Sequence, residues 1–345
     1  VEHNRRMFEG GGLTFITISA AIYAAFHMLA LNGVSLSGMT GGLVDLPFLP
    51  DFPLETWNFR IVHVAGALAL GFLWYSANSF SDSPGTSTPL LGYLSYVLLV
   101  PAFMATGMAI SFAFDIQNGV MWNGIDATIK FNETWLFGTP LLIATVGGIV
   151  LSWFHKTSRD KYSAPDFVLC VCGVAVAVYL ITIYGTLMRN STGTPFAPIG
   201  ISIAAVAGTL LIMELTRRVA GLALVIIATI FLVYVFVGEH LPGFLQSPSV
   251  TWQRFFSQVY TDAGILGPTT AVSSTYIILF IIFAAFLQAS KVGDYFVNFA
   301  FSVAGRARGG PAKVAIFASG LMGMINGTSA GNVVATGSLT IPLMK

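Results

Sequence analysis

Residues 314–343, VAIFASGLMGMINGTSAGNVVATGSLTIPL, are apolar at both ends and polar in the middle, where Asn326, Gly327, Thr328, Ser329, Gly331 and Asn332 cluster. An α-helix rises ~1.5 Å per residue, so each apolar flank of about 11 or 12 residues covers roughly 17 Å, about half of a hydrocarbon core ~30 Å thick. Lys313 and Lys345 bracket the stretch and anchor both ends on the same side. The pattern predicts a re-entrant helical hairpin whose tip lies near the midplane. One long tilted helix is the alternative, disfavoured by two glycines and two asparagines at its centre. Irregular backbone at that depth persists only where protein or a water-filled cavity satisfies its polar groups. Broken helices of this kind offer carbonyls to a cation at the end of the first half and amides to an anion at the start of the second. Asn326, Thr328, Ser329 and Asn332 add side-chain polar atoms, and Gly327 and Gly331 let a ligand reach the backbone.

Gly327-Thr328-Ser329-Ala330-Gly331 also fits the G-x-S-x-G pattern of hydrolases. A nucleophile elbow joins a strand to a helix and has its histidine later in the chain. No strand pattern precedes Gly327, and none of the five histidines follows Ser329. His27 and His63, in the first two apolar stretches, are the histidines an intramembrane serine enzyme would have to recruit, and they read better as packing or cavity-lining groups. A catalytic role is therefore not expected.

The composition supports a membrane setting. The 345 residues are 55% hydrophobic and 9% charged, with 28 Phe, whereas soluble domains carry roughly 25% charged residues. A formal net charge of +1 and the lack of any long run of like charges argue against nucleic-acid binding. Stretches near the ~20 apolar residues a spanning helix needs occur eight times: Leu13 to Gly33, Ile61 to Ser79, Leu90 to Phe114, Trp135 to Phe154, Phe167 to Leu187, Ala197 to Glu214, Leu222 to Gly238 and Ala271 to Ala289. The first is long enough to span and is not expected to be a cleaved signal peptide. The expected fold is an all-α integral membrane protein in direct contact with the lipid bilayer. Cys170 and Cys172 fall inside the fifth stretch and read as core residues without metal or redox chemistry.

Lysine and arginine set the expected orientation. A cytoplasmic N-terminus puts twelve of the 16 basic residues inside and leaves Arg60, Lys130, Arg189 and Arg254 outside. The long outer connections, 36–58 with Asp45, Asp51 and Glu55, and 114–134 with Asp115, Asp126 and Glu133, offer surfaces for a docking partner. Residues 239–270 are likewise expected outside. Beyond the eighth stretch, KVGDYFVNFAFSVAGRARGGPAK (291–313) has a helical rhythm and a basic, Gly-rich end. It predicts an amphipathic helix lying at the cytoplasmic interface.

Three blocks carry a resemblance: ELTRRVAGLALVIIATIFLVYVFVGEHLPGF (214–244), YIILFIIFAAFLQASKVGDYF (276–296) and GRARGGPAKVAIFASGLMGMINGTSAGNVVATGSLTIPLMK (305–345). Together they resemble the fused membrane subunit of tripartite ATP-independent periplasmic (TRAP) transporters, in the branch served by TAXI binding proteins. The resemblance implies three regions: 1–190 similar to the small membrane subunit, 191–312 as scaffold and arm helix of the large subunit, and 313–345 as its first hairpin. It implies an elevator transporter of the bacterial or archaeal cytoplasmic (inner) membrane. Such a transporter has no cofactor; an ion gradient, Na+ or alternatively H+, drives it. Its substrate is an organic acid, a dicarboxylate or amino-acid-like molecule, delivered by an extracytoplasmic TAXI-type protein. The family's hairpin tip usually reads Ser-Gly-Ser-Ser. Here Asn326, Gly327, Thr328 and Ser329 take those places, making Asn326, Thr328 and Ser329 the expected sodium ligands. The substitutions at 326 and 328 each keep an oxygen. The family's large subunit continues to a second, inverted hairpin, so the resemblance also implies that the remaining half is supplied elsewhere. The alternative is a truncated permease or scaffold that binds a partner without transporting.

Overall fold

The computed structural model describes residues 4–34, 56–80, 89–324, 336–337 and 340–341. The described residues are helical, without strands, and include eight helices long and apolar enough to cross a membrane. They divide into two compact units, Val1–Ser274 and Thr275–Lys345.

The first unit is built around one central apolar helix. In chain order its elements are α1 (Gly10–Leu31), α2 (Thr56–Trp74), α3 (Pro89–Gln117), α4 (Ala127–Phe154), α5 (Ala164–Tyr184), α6 (Ile199–Ala220), α7 (Leu222–Val237), the short α8 (Trp252–Val259) and α9 (Pro268–Val272). α5 starts with Pro165 in its first turn, a position whose missing N–H costs nothing. It is apolar all round and buried on nearly every face, Cys170 and Cys172 included. A helix with that pattern belongs at the centre. α2, α3, α4 and α6 pack on it. Small residues make the approach close: Ala102, Ala105 and Ala109 on α3, and Ala204, Ala207 and Gly208 on α6, are buried. Such residues are what membrane helices use at their contacts. α7 buries no residue and exposes Ile226, Ile227, Ile230 and Phe231, a surface suited to lipid.

α8 is an addition to the sequence-based expectation, which left 239–270 as an outer connection. Thr251 caps it by accepting the Arg254 amide at 3.4 Å, and Phe255 and Phe256 pack against Phe236 of α7. At eight residues it is far below the ~20-residue length that identifies spans.

In the second unit, α10 (Ile278–Ala289), α11 (Val292–Ala304) and α12 (Gly310–Gly323) follow one another. Lys291 in the left-handed conformation, φ 58°, separates the first two. Val297, Ala300 and Ala304 of α11 pack on Val314 and Ala318 of α12. The predicted amphipathic helix thus exists, with a second apolar face: Tyr295, Phe299 and Val303 are exposed, and Asn298 and Ser302 form a narrow polar stripe. α12 supplies the first flank of the predicted hairpin. Its tip lies outside the described residues.

Candidate functional site

The predicted site residues Asn326, Gly327, Thr328, Ser329, Gly331 and Asn332 are not among the described residues. The described residues hold three other polar constellations within apolar helices, all of them in the first unit.

The first corrects an expectation. Glu133 was expected on an exposed docking surface, yet it is fully buried. A π-helical segment, Asn132–Gly138, interrupts α4 and places this carboxylate among donors. Oε1 accepts from Trp122 Nε1 at 2.7 Å and from Tyr179 OH at 2.6 Å, and Oε2 from Gly200 N at 3.2 Å. Gly200 lies in the first turn of α6, so Glu133 caps a neighbouring helix where free amides and the positive end of its dipole favour an anion. Gly200 has no room for a side chain, because an added Cβ would meet the Tyr179 hydroxyl. The nearby acid Asp126 remains exposed and is spent as an N-cap, accepting from Thr128 N and Ile129 N. The loop 36–58 is undescribed over all but its last residues.

At the opposite end of the bundle, five charged side chains form one network. Arg6 donates to the carbonyls of Phe72 and Leu73, both at 3.0 Å, and to Asp166. Arg218 reaches Asp166 at 2.7 Å, Glu214 at 2.8 Å, Ser152 Oγ at 3.0 Å and the Tyr75 carbonyl at 3.0 Å. Arg217 completes the set with two 2.9 Å bonds to Glu214. Asn4 ties the N-terminal segment to the same end through the Arg218 carbonyl at 2.7 Å. Arg6, Asp166, Glu214 and Arg218 are all buried. Burying such charges is costly unless each is paired and hydrogen-bonded, and here they join the N-terminus to α2, α5 and α6. The sequence offered only the local part of this network: Glu214, Arg217 and Arg218 stand three and four positions apart, on one helical face. Nothing in a single sequence links Arg6 to Asp166.

The third constellation involves the two histidines. His27 Nδ1 lies 2.7 Å from the Tyr23 carbonyl. A carbonyl only accepts, so Nδ1 carries the proton and Nε2 is left to accept from His63 Nδ1 at 2.8 Å. Tyr23 donates to the His63 carbonyl at 2.8 Å, and His63 Nε2 accepts from Ser273 Oγ at 3.1 Å. Each ring nitrogen has a partner, and the chain clamps α1, α2 and the segment after α9 together. This is the packing role expected of the two residues.

The two ends of the bundle also sort the basic residues. Arg5, Arg6, Arg159, Arg217 and Arg218 gather at the N-terminal end, where Arg159 Nε donates to the Arg5 carbonyl at 3.0 Å. At the other end Arg60 donates to the Leu266 carbonyl at 2.6 Å, Arg189 stacks 3.2 Å from the Trp57 ring centre, and Lys130 and Arg254 share one cleft.

With these features in place, the comparisons bear on the remainder of the chain. Residues 207–345 match the family described as "Tripartite ATP-independent periplasmic transporter, DctM component". The match supports a TRAP-family membrane protein. It starts within α6 and runs through α12, so it covers the stretch carrying the predicted hairpin and leaves α1 to α5 outside. No curated protein and no solved structure matches the chain. A TRAP membrane component works in general with a periplasmic binding protein and belongs to a family of transporters, not enzymes.

Proposed function

We propose that the chain is the membrane component of an ion-gradient-driven uptake system for organic acids, dicarboxylate or amino-acid-like, delivered by an extracytoplasmic binding protein of the TAXI type. The observation that carries the proposal is the DctM match over 207–345, in a chain whose described residues include eight apolar helices of spanning length. The coupling ion is taken to be sodium, held at the tip Asn326 to Asn332, which supplies amide and hydroxyl oxygens in the middle of an apolar stretch. Residues 1–190 form the part similar to the small membrane subunit, 191–312 the scaffold and arm helix, and the hairpin of 313–345 belongs to the moving part of an elevator.

The hairpin tip gives the test. In a transporter completed by the second hairpin, Ser329→Ala or Asn326→Ala is expected to raise the sodium concentration for half-maximal uptake by about tenfold, since an unpaired buried polar partner costs about 1–3 kcal/mol and ~1.4 kcal/mol is a factor of ten. Gly327→Val should do more, because a branched side chain obstructs the ligand and resists left-handed backbone. Unchanged sodium dependence in all three variants would remove the tip from the ion site.

The cytoplasmic N-terminus is part of the same proposal, supported by the sorting of basic residues to the two ends of the bundle. A cysteine placed at Arg159 should react with a membrane-impermeant maleimide only in inverted vesicles, and one placed at Arg189 only in intact cells. The reverse pattern would invert the topology.

A further inference from the structure

Next to the Glu133 box, at the end of the bundle that carries the four minority basic residues, lies a cleft of about 330 Å³. This volume is at the lower end of the ~300–1,000 Å³ range of small-ligand sites. Lys130 and Arg254 line it, together with the hydroxyl residues Thr194, Ser202, Ser249 and Thr251. No Asp or Glu is among its lining residues, and among the described residues neither cation forms an ion pair with a carboxylate. The nearest acid in sequence, Glu133, is fully engaged with Trp122, Tyr179 and Gly200. Two cations thus line one cleft, and no acid in its lining offsets their charge.

The backbone around the cleft is fixed. Ser202 donates to the Gln253 carbonyl at 2.8 Å, and the Gly193 amide donates to the buried Ser257 at 2.9 Å. These bonds hold the first turn of α8, and Arg254 with it, against α6. Arg254 Nε donates to the Gly193 carbonyl at 3.0 Å, which orients the guanidinium and leaves its two terminal nitrogens for another acceptor. Gly124 closes another wall: an added Cβ there would collide with the Phe196 carbonyl and the Pro198 nitrogen. The apolar members of the lining, Pro195, Ala197 and Ile199, are part of the same surface.

We propose that this cleft binds a small organic acid, with Lys130 and Arg254 as the partners of its carboxylate and Pro195, Ala197 and Ile199 in contact with its hydrocarbon part. The guanidinium fork suits the two oxygens of a carboxylate. An inorganic anion would satisfy the same cations but give the apolar residues nothing to cover. The phosphate of a lipid headgroup shares the anionic chemistry, and the experiment separates it. The site lies in the scaffold, away from the hairpin tip in sequence, and goes beyond the transport proposal; it needs neither an ion gradient nor a binding protein.

The test is calorimetric titration of the purified full chain in nanodiscs of zwitterionic lipid, with succinate, glutarate and inorganic phosphate as probes. Saturable binding of a diacid, tighter than that of phosphate, is expected. Lys130→Gln and Arg254→Gln should each weaken it about tenfold, as expected for loss of one charge-assisted bond, and Lys130→Arg should retain it. Both residues are exposed, so thermal unfolding of these variants should match the parent and separate lost binding from lost fold. Absence of saturable diacid binding, tighter binding of phosphate, or full binding by the two glutamine variants would overturn the proposal. So would loss of diacid binding in nanodiscs of anionic lipid, which would make the cleft a headgroup seat. Failure on any of these counts leaves the sodium dependence at the hairpin tip untouched, so the two proposals fall separately.

Discussion

Glu133→Ala is expected to lower the melting temperature of the detergent-solubilised protein by about 10 °C. The substitution leaves Trp122 Nε1, the Tyr179 hydroxyl and the Gly200 amide without their acceptor in a buried site. Each orphaned donor costs about 1–3 kcal/mol in water-soluble proteins. Hydrogen bonds inside membrane proteins average less, because the unfolded chain in the bilayer also finds partners. The low end therefore governs, and three donors give about 3 kcal/mol. For a unit of this size ~1 kcal/mol shifts the melting temperature by roughly 2–4 °C. Glu133→Gln should fall between the parent and the alanine variant. It keeps an oxygen for Trp122 and Tyr179, but its amide N–H groups would face the Gly200 N–H. A melting temperature for Glu133→Ala within ~2 °C of the parent would show that the carboxylate is not holding the start of α6.

Asp166→Ala should be at least as damaging. It removes the only carboxylate bonded to Arg6 among the described residues and one of the two on Arg218. Both guanidiniums are almost completely buried. Breaking a buried pair by deleting one partner typically costs about 3–5 kcal/mol, because the other charge remains buried and uncompensated. The pair Arg60–Asp262, with its 3.3 Å contact and an Asp262 side chain 61% exposed, is the internal control. An exposed pair is worth about 0–1 kcal/mol, so Asp262→Ala should leave the melting temperature within ~2–3 °C of the parent. Because Arg6 and Asn4 fasten the N-terminal segment to this network, Asp166→Ala should also speed limited proteolysis near the N-terminus. Equal melting temperatures for the two variants would refute the distinction between the buried network and the surface pair.

The eight helices of spanning length among the described residues were legible in the sequence because membrane thickness demands long apolar stretches, and composition alone reports those. Their ends were less legible. α2 was expected from Ile61 to Ser79 and runs from Thr56 to Trp74, since the polar residues Asn58 and Arg60 continue the helix and Arg60 finds the Leu266 carbonyl. α8 escaped notice because it is too short to span, and its aromatic face is covered by α7. Glu133 was misplaced for a different reason. Its sequence neighbours Asp126, Lys130 and Asn132 are those of an outer loop, and only the approach of α5 and the start of α6 adds Tyr179 and Gly200 to Trp122 as donors around it. The buried network was half visible: the Glu214, Arg217 and Arg218 spacing belongs to one helix, while Asp166 and Arg6 join it only in three dimensions. At the expected hairpin tip, the polar cluster Asn326 to Asn332 is legible as a break in an apolar stretch, and the stretch falls within the DctM match over 207–345.

The most direct measurement of the proposed function is uptake of a radiolabelled organic acid into proteoliposomes containing the protein together with the half bearing the second hairpin, with a TAXI-type binding protein outside and no nucleotide present. An inward sodium gradient should drive accumulation, and dissipating the gradient or omitting the binding protein should abolish it. Accumulation that requires ATP, or that proceeds at the same rate without the binding protein, would contradict the proposed function.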